Sequence, residues 1–178
     1  MRDLSPLLPD LTIQPASAAD LPVINAIIEA CVANWDLPER VKRLALAGYF
    51  YRREDLECMQ IVVACFENGK AIGVGAIGPV PAEDLPAGKT GALLHGLYVA
   101  PPDQKKGVGQ RLLDWAWKRV DEQALDGLLV KAQADANPYF ARQGFSLLPV
   151  NNPGRDYPYR WWREAAPPTG RPRPSPPS

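Results

Sequence analysis

The chain has 178 residues, a length that suits one domain with a single substantial core. Hydrophobic residues make up 46% and charged residues 22%, and 20 Lys+Arg balance 20 Asp+Glu, so no net field argues for nucleic acid or a membrane surface as partner. No apolar run approaches the roughly 18 residues of a spanning helix, and the N-terminus MRDLSPLLPDL lacks the apolar stretch of a secretory signal.

Residues 1–10 read as a loose lead-in, and Leu11 to Gln14, with Leu11 and Ile13 alternating, as a short strand. Ser17-x-x-Asp20 marks a helix start, with Pro22 in the first turn. Leu21, Ile24, Ile27, Ile28 and Cys31 then fall on one helical face. Trp35-Asp36 breaks that helix and Pro38 opens a second, with Leu37, Val41 and Leu44 inward and Gly48 as its stop. Tyr49 to Arg53 is an aromatic and basic connector, which lines a cleft or closes the core edge; the second reading is preferred. Ile61 to Phe66 and Ala71 to Ile77 are strands joined through Asn68-Gly69, a strong hairpin signal, so they are expected to be antiparallel. Cys31, Cys58 and Cys65 form no C-x-x-C, and there is a single histidine. They read as reduced thiols of a cytoplasmic protein, with no metal site.

Residues 78–91, with three prolines and three glycines, form a long loop. Leu93 to Val99 is an apolar strand, Ala100 to Lys106 a turn built on Pro101-Pro102, and Gly107 to Gln123 a helix with Val108, Leu112, Ala116 and Val120 on one face. Gly127 to Ala132 is a further strand, parallel to the first in a right-handed β-α-β unit. A short helix follows over Ala136 to Gln143, with Gly144 at its C-terminal side, and then strands at Phe145 to Val150 and Tyr157 to Arg163. From Ala165 to Ser178 six of fourteen residues are proline, which reads as a disordered tail. The order is β-α-α-β-β-β-α-β-α-β-β, an α/β (α+β) mixed sheet in a single domain over 11–164.

The join Gln104-Lys105-Lys106-Gly107-Val108-Gly109 is the informative stretch. Its glycines permit a tight turn that aims several N–H groups at one anion before a helix N-terminus, and Lys105 and Lys106 add charge there. Neither G-x-G-x-x-G nor G-x-x-x-x-G-K-[ST] is present. What stands is Q-x-x-G-x-G, which resembles the pyrophosphate-binding loop of the GNAT superfamily of N-acetyltransferases. Asn137-Pro138-Tyr139-Phe140-Ala141-Arg142-Gln143-Gly144-Phe145 is similar to that family's fourth helix, and Ile13-Gln14-Pro15-Ala16 with Asp20 to its opening.

The resemblance implies the GNAT fold, with a splayed central strand pair that takes the arm of acetyl-coenzyme A (acetyl-CoA). It implies direct transfer of the acetyl group to the amine of a small molecule, with a homodimer admitted. By analogy Leu97, Tyr98 and Val99 supply backbone contacts to the arm, Gln104, Lys105, Lys106, Gly107, Val108, Gly109 and Gln110 hold the pyrophosphate, and the Asn137 side chain reaches the cofactor. His95, on the central strand, is the candidate base, sharing a face with Leu97 and Val99 by alternation; a packed core histidine is the competing reading. The family's usual acid position is Phe140, which has no proton to give; Tyr139, one residue earlier, reads first as a packing residue and second as a substitute acid, and binding without turnover is the alternative function. For the acceptor, Trp35, Asp36, Tyr49, Tyr51, Tyr157, Tyr159 and Trp161 stand in the segments that build the family's cleft. No cluster of acids there suits a basic peptide.

Overall fold

The structure is a computed structural model that describes residues 11–166. The lead-in at 1–10 and the tail from 167 to 178 lie outside the described residues. Seven strands join in one sheet: β1 (Thr12–Pro15), β2 (Gln60–Cys65), β3 (Ala71–Gly78), β4 (Gly91–Val99), β5 (Gly127–Lys131), β6 (Ser146–Leu147) and β7 (Arg160–Glu164), in the spatial order β1-β2-β3-β4-β5-β7-β6. The helices are α1 (Leu21–Ala33), α2 (Glu39–Tyr49), α3 (Asp55–Cys58), α4 (Val108–Glu122) and α5 (Asn137–Arg142). This is the mixed α/β sheet expected from the pattern. The chain divides into two compact units, one running to Pro79 and including Leu94–Ala116, the other made of Val80–Leu93 and the residues from Trp117 onward.

In the first unit β1, β2 and β3 are antiparallel neighbours, with Val63 opposite Gln14 on one side and Val74 on the other. The hairpin turns on Gly69 at φ 80, and the Asn68 side-chain amide oxygen accepts the Lys70 N–H at 3.0 Å, a bond that Asn makes readily in turns. Ile24, Ile27, Ile28, Cys31 and Val32 of α1 bury against Ile61, Val63, Val74 and Ala76. On a second cluster Val108 and Leu112 of α4 pack with Val62, Ala64 and Ile72. Gly73 lets α4 come close, since a Cβ there would stand 3.1 Å from both Val108 and Leu112. The expected capping pair forms: the Ser17 N–H and hydroxyl both donate to Asp20, at 2.7 Å.

Two expectations fail here. Val41 and Leu44 of α2 are 44% and 73% exposed, whereas Leu46 and Tyr49 pack on the α1 cluster. Both sets follow helical spacing, and only the neighbouring surface selects between them. Gly48 does not stop α2, which runs to Tyr49. The connector also contains α3, too short to leave a periodic pattern.

In the second unit Asp126 N–H donates to the Thr90 carbonyl at 3.0 Å, so β4 and β5 begin side by side, as in a parallel pair. β7 is antiparallel to β5 along its whole length and to β6 over two residues. The expected strand over 145–150 shrinks to 146–147, because Pro149 carries no N–H for the ladder. The Ala165 N–H donates to the Asp126 carbonyl at 2.8 Å, just past the end of β7.

Candidate active site

The C-terminal half of β4 and the loop behind it carry most of the expected residues as one continuous run. Leu97 and Val99 pack on the cluster of Val108 and Leu112, and Tyr98 on the α1 cluster. With those side chains in cores, the groups they can present to a ligand are backbone groups. The Val99 carbonyl already accepts from Cys31 Sγ at 3.1 Å and from Gln104 Nε2 at 3.0 Å. Burial pushes the Cys31 thiol up to about 11, so it serves as a neutral donor. Gln104, expected on a phosphate, thus clamps the start of its own loop.

Unlike Leu97 and Val99, His95 makes a side-chain hydrogen bond. Its Nδ1 lies 3.1 Å from the hydroxyl of Tyr51, which belongs to the α1 cluster and is 3% exposed. Gly96 permits this, since a Cβ there would strike the Tyr51 hydroxyl oxygen and stand 2.8 Å from the Tyr98 ring. Asn25 holds the Tyr51 backbone at both ends, donating to its carbonyl and accepting from its N–H, each at 2.9 Å. Burial, reinforced by Tyr98 and Asp55, pushes the Tyr51 phenol far up, so it stays protonated. His95 is an exposed residue, yet its partial burial lowers its pKa below the usual imidazole value, which the Asp55 carboxylate partly offsets. A neutral imidazole with an open edge can accept a proton at neutral pH.

Behind β4, Lys105 at φ 61 and Gly107 at φ 87 flank Lys106. Such reversals turn successive N–H groups to one side, the geometry of an anion nest, here placed before the 15-residue α4. The two lysines differ. Lys106 pairs with buried Asp103 at 3.0 Å, as Lys70 does at 3.6 Å; Lys105 has no protein partner among the described residues. Gln110 donates to Asp114 at 2.8 Å, and Val108 is a core residue, so of the expected set Lys105 and the loop N–H groups are the free donors.

Asn137 and Tyr139 belong to the second unit. The Asn137 side-chain oxygen accepts from Trp161 Nε1 at 3.0 Å. Because an indole N–H only donates, this fixes the amide and leaves its NH₂ as the outward donor. Phe140 is buried against Phe145 and edge-on to Tyr139, at 5.5 and 5.2 Å between ring centres. It is a core residue, and Tyr139 has a buried hydroxyl. Among the described residues no group of three His, Cys, Asp or Glu could hold a metal, and no helix is long and apolar enough to cross a membrane.

The model of the acetyltransferase (GNAT) family matches residues 26–145, well over half of the chain. The protein belongs to that family. The match spans β4, the loop, α4, β5 and α5. As expected of a GNAT acetyltransferase, solved structures share its fold. PaiA N-acetyltransferase of Thermoplasma acidophilum, in complex with coenzyme A, superposes with a TM-score of 0.69 at 13% identity, covering 87% of this chain and 99% of that one. A GNAT acetyltransferase of Brucella melitensis, in complex with acetyl-CoA, gives 0.62 at 18% identity, over 89% and 90%. N-acetylglutamate synthase of Neisseria gonorrhoeae, with coenzyme A and N-acetyl-glutamate, gives 0.61 at 16%, over 89% of this chain and 36% of that one. No curated protein sequence matches the chain.

Asn25 was not expected at the site, and Tyr51 was expected as an acceptor-cleft aromatic and not as a partner of His95. The core-closing reading of the connector holds at Tyr51, which is buried in the α1 cluster and also touches His95. Asn25 did leave a signal, as a polar, weak helix former between Ile24 and Ile27 on an apolar helix.

Proposed function

We propose that this GNAT acetyltransferase moves an acetyl group from acetyl-CoA to the amine of a small molecule, with both bound together. The observation that carries the reading is the run from His95 to Gln110, an open-edged neutral imidazole followed by a nest with a free lysine at a helix N-terminus. Acetyl-CoA supplies an activated thioester carbonyl. The loop N–H groups and Lys105 would hold its pyrophosphate, the backbone of Leu97, Tyr98 and Val99 its arm, and the Asn137 NH₂ would donate to it. An alkylammonium, with a pKa near 10, must lose a proton before it attacks, and His95 is the group to take it. Tyr139, the candidate acid, has a buried hydroxyl, and the transfer does not require it. A thiol of pKa about 8.5 departs tolerably without an acid.

Phe140 in the core at the usual acid position favours one second reading, an acyl-CoA-binding module without turnover. Calorimetry with coenzyme A, then thiol release from acetyl-CoA across a broad amine panel, separates the two. Tight binding with no acceptor-dependent release across the panel favours the module. No binding of coenzyme A sinks both.

A further inference from the structure

We propose that Tyr51 is the positioning residue for His95, holding the imidazole by Nδ1 so that Nε2 is the nitrogen that takes the amine proton. This rests on the acetyltransferase reading and concerns the same site. The contact of 3.1 Å joins Tyr51 Oη to Nδ1, and no other protein group bonds either atom among the described residues. The two nitrogens lie on opposite edges of the ring, so engaging one turns the other away from Tyr51.

A phenol oxygen both donates and accepts, so the same contact serves every protonation state. It donates to Nδ1 of the Nε2–H tautomer, and it accepts from Nδ1–H in the tautomer whose Nε2 lone pair is open. Proton transfer from R–NH₃⁺ to Nε2 forms one N–H bond and breaks another, leaving an imidazolium whose Nδ1–H points at Tyr51 Oη. The proton then goes to water, and Tyr51 is unchanged. The bond to the imidazolium is charge-assisted and the stronger of the two, so the pair favours uptake of the proton that burial of the ring disfavours.

Three features fix the phenol in place. Asn25 grips the Tyr51 backbone on both sides, the ring is buried in the α1 cluster, and Gly96 leaves the space the hydroxyl occupies. The groups facing the pair are Asp55 on α3, whose charge also favours the imidazolium, and the phenol of Tyr98 on β4, itself pushed up by burial. Neither bonds to the ring.

His95 is the only histidine in the chain, so imidazole NMR signals of untagged protein belong to it alone. Tyr51→Phe keeps the packing and removes the oxygen. The expected result is a lower His95 titration midpoint, an equal downward move of the acidic limb of kcat/KM, and a kcat about tenfold lower, the worth of one net hydrogen bond. The KM for acetyl-CoA is expected to hold. A midpoint that stays or rises overturns the proposal. The wild-type protein gives a second reading: its imidazolium should show a protected Nδ1–H, and one exchanging as freely as in imidazole overturns the proposal whatever the variant does. Both NMR readings need no acceptor. Absence of turnover on every amine therefore counts against the acetyltransferase reading, while the midpoint still decides on Tyr51.

Discussion

Each unit buries polar groups, and they are closed off to different degrees. In the second unit Asp156 accepts from the N–H groups of Asn151 and Asn152, each at 3.0 Å, and pairs with Arg155 at 2.7 Å and Arg160 at 3.2 Å. Arg160, 4% exposed, also donates to the Pro149 carbonyl and lies 3.6 Å from Asp84, which Lys131 meets at 2.9 Å. Only Arg160 Nε lacks a partner in this set. In the first unit His95 has one nitrogen held and one edge open. A network whose valences are filled by its own members fixes loops and has nothing left for a ligand, whereas a pair with one open position keeps a group ready for chemistry.

Breaking the closed network is expected to cost the most. Arg160→Ala takes one partner from Asp156, which keeps Arg155 and two N–H groups, and one from Asp84, which keeps Lys131; the loss is read as a lower urea midpoint. The bonds from Asn152 and Arg155 hold the Asp156 carboxyl down at about 2 from a usual 3.8. With its folded value depressed, its contribution is full above the usual value and fades as pH falls toward about 2. Wild-type stability should therefore fall over that window, read as a lower urea midpoint.

The open pair is expected to answer in rate. His95→Gln should lower kcat by about 10²–10⁴-fold, the worth of a general base, with circular dichroism unchanged; an unchanged kcat and pH profile would remove it from the mechanism. Its folded pKa is depressed, so the unfolded chain binds more protons below the usual imidazole value, and wild-type stability should fall as pH drops through that range. The Gln variant should lack that slope.

The loop of the first unit joins a backbone with two positive φ angles to a lysine without a protein partner among the described residues. Gly107→Ala forces a side chain into φ 87, costing about 1–2 kcal/mol in thermal unfolding and weakening coenzyme A about tenfold or more in calorimetry. Lys105→Ala should do least, a several-fold loss of coenzyme A affinity that shrinks as salt is added, with no change in melting temperature. An affinity loss independent of salt would mean that Lys105 acts through the backbone alone.

Local rules made much of this protein readable without coordinates. Asn68-Gly69 specifies a hairpin because few residues tolerate that turn, Val108, Leu112, Ala116 and Val120 are fully buried on α4 as their spacing requires, and Gln104 to Gly109 announces a nest because glycine spacing is a backbone property. What needed the tertiary structure is what depends on a distant partner. The apolar face of α2 could be Val41 and Leu44 or Leu46 and Tyr49, and the surface beneath it chose. The place of β7 between β5 and β6 is a long-range pairing that no local pattern encodes. His95 was visible as a lone histidine on a strand. That its Nδ1 meets Tyr51, 44 residues away in sequence, followed only from folding, because a hydrogen bond depends on separation in space and position in the chain does not reveal it.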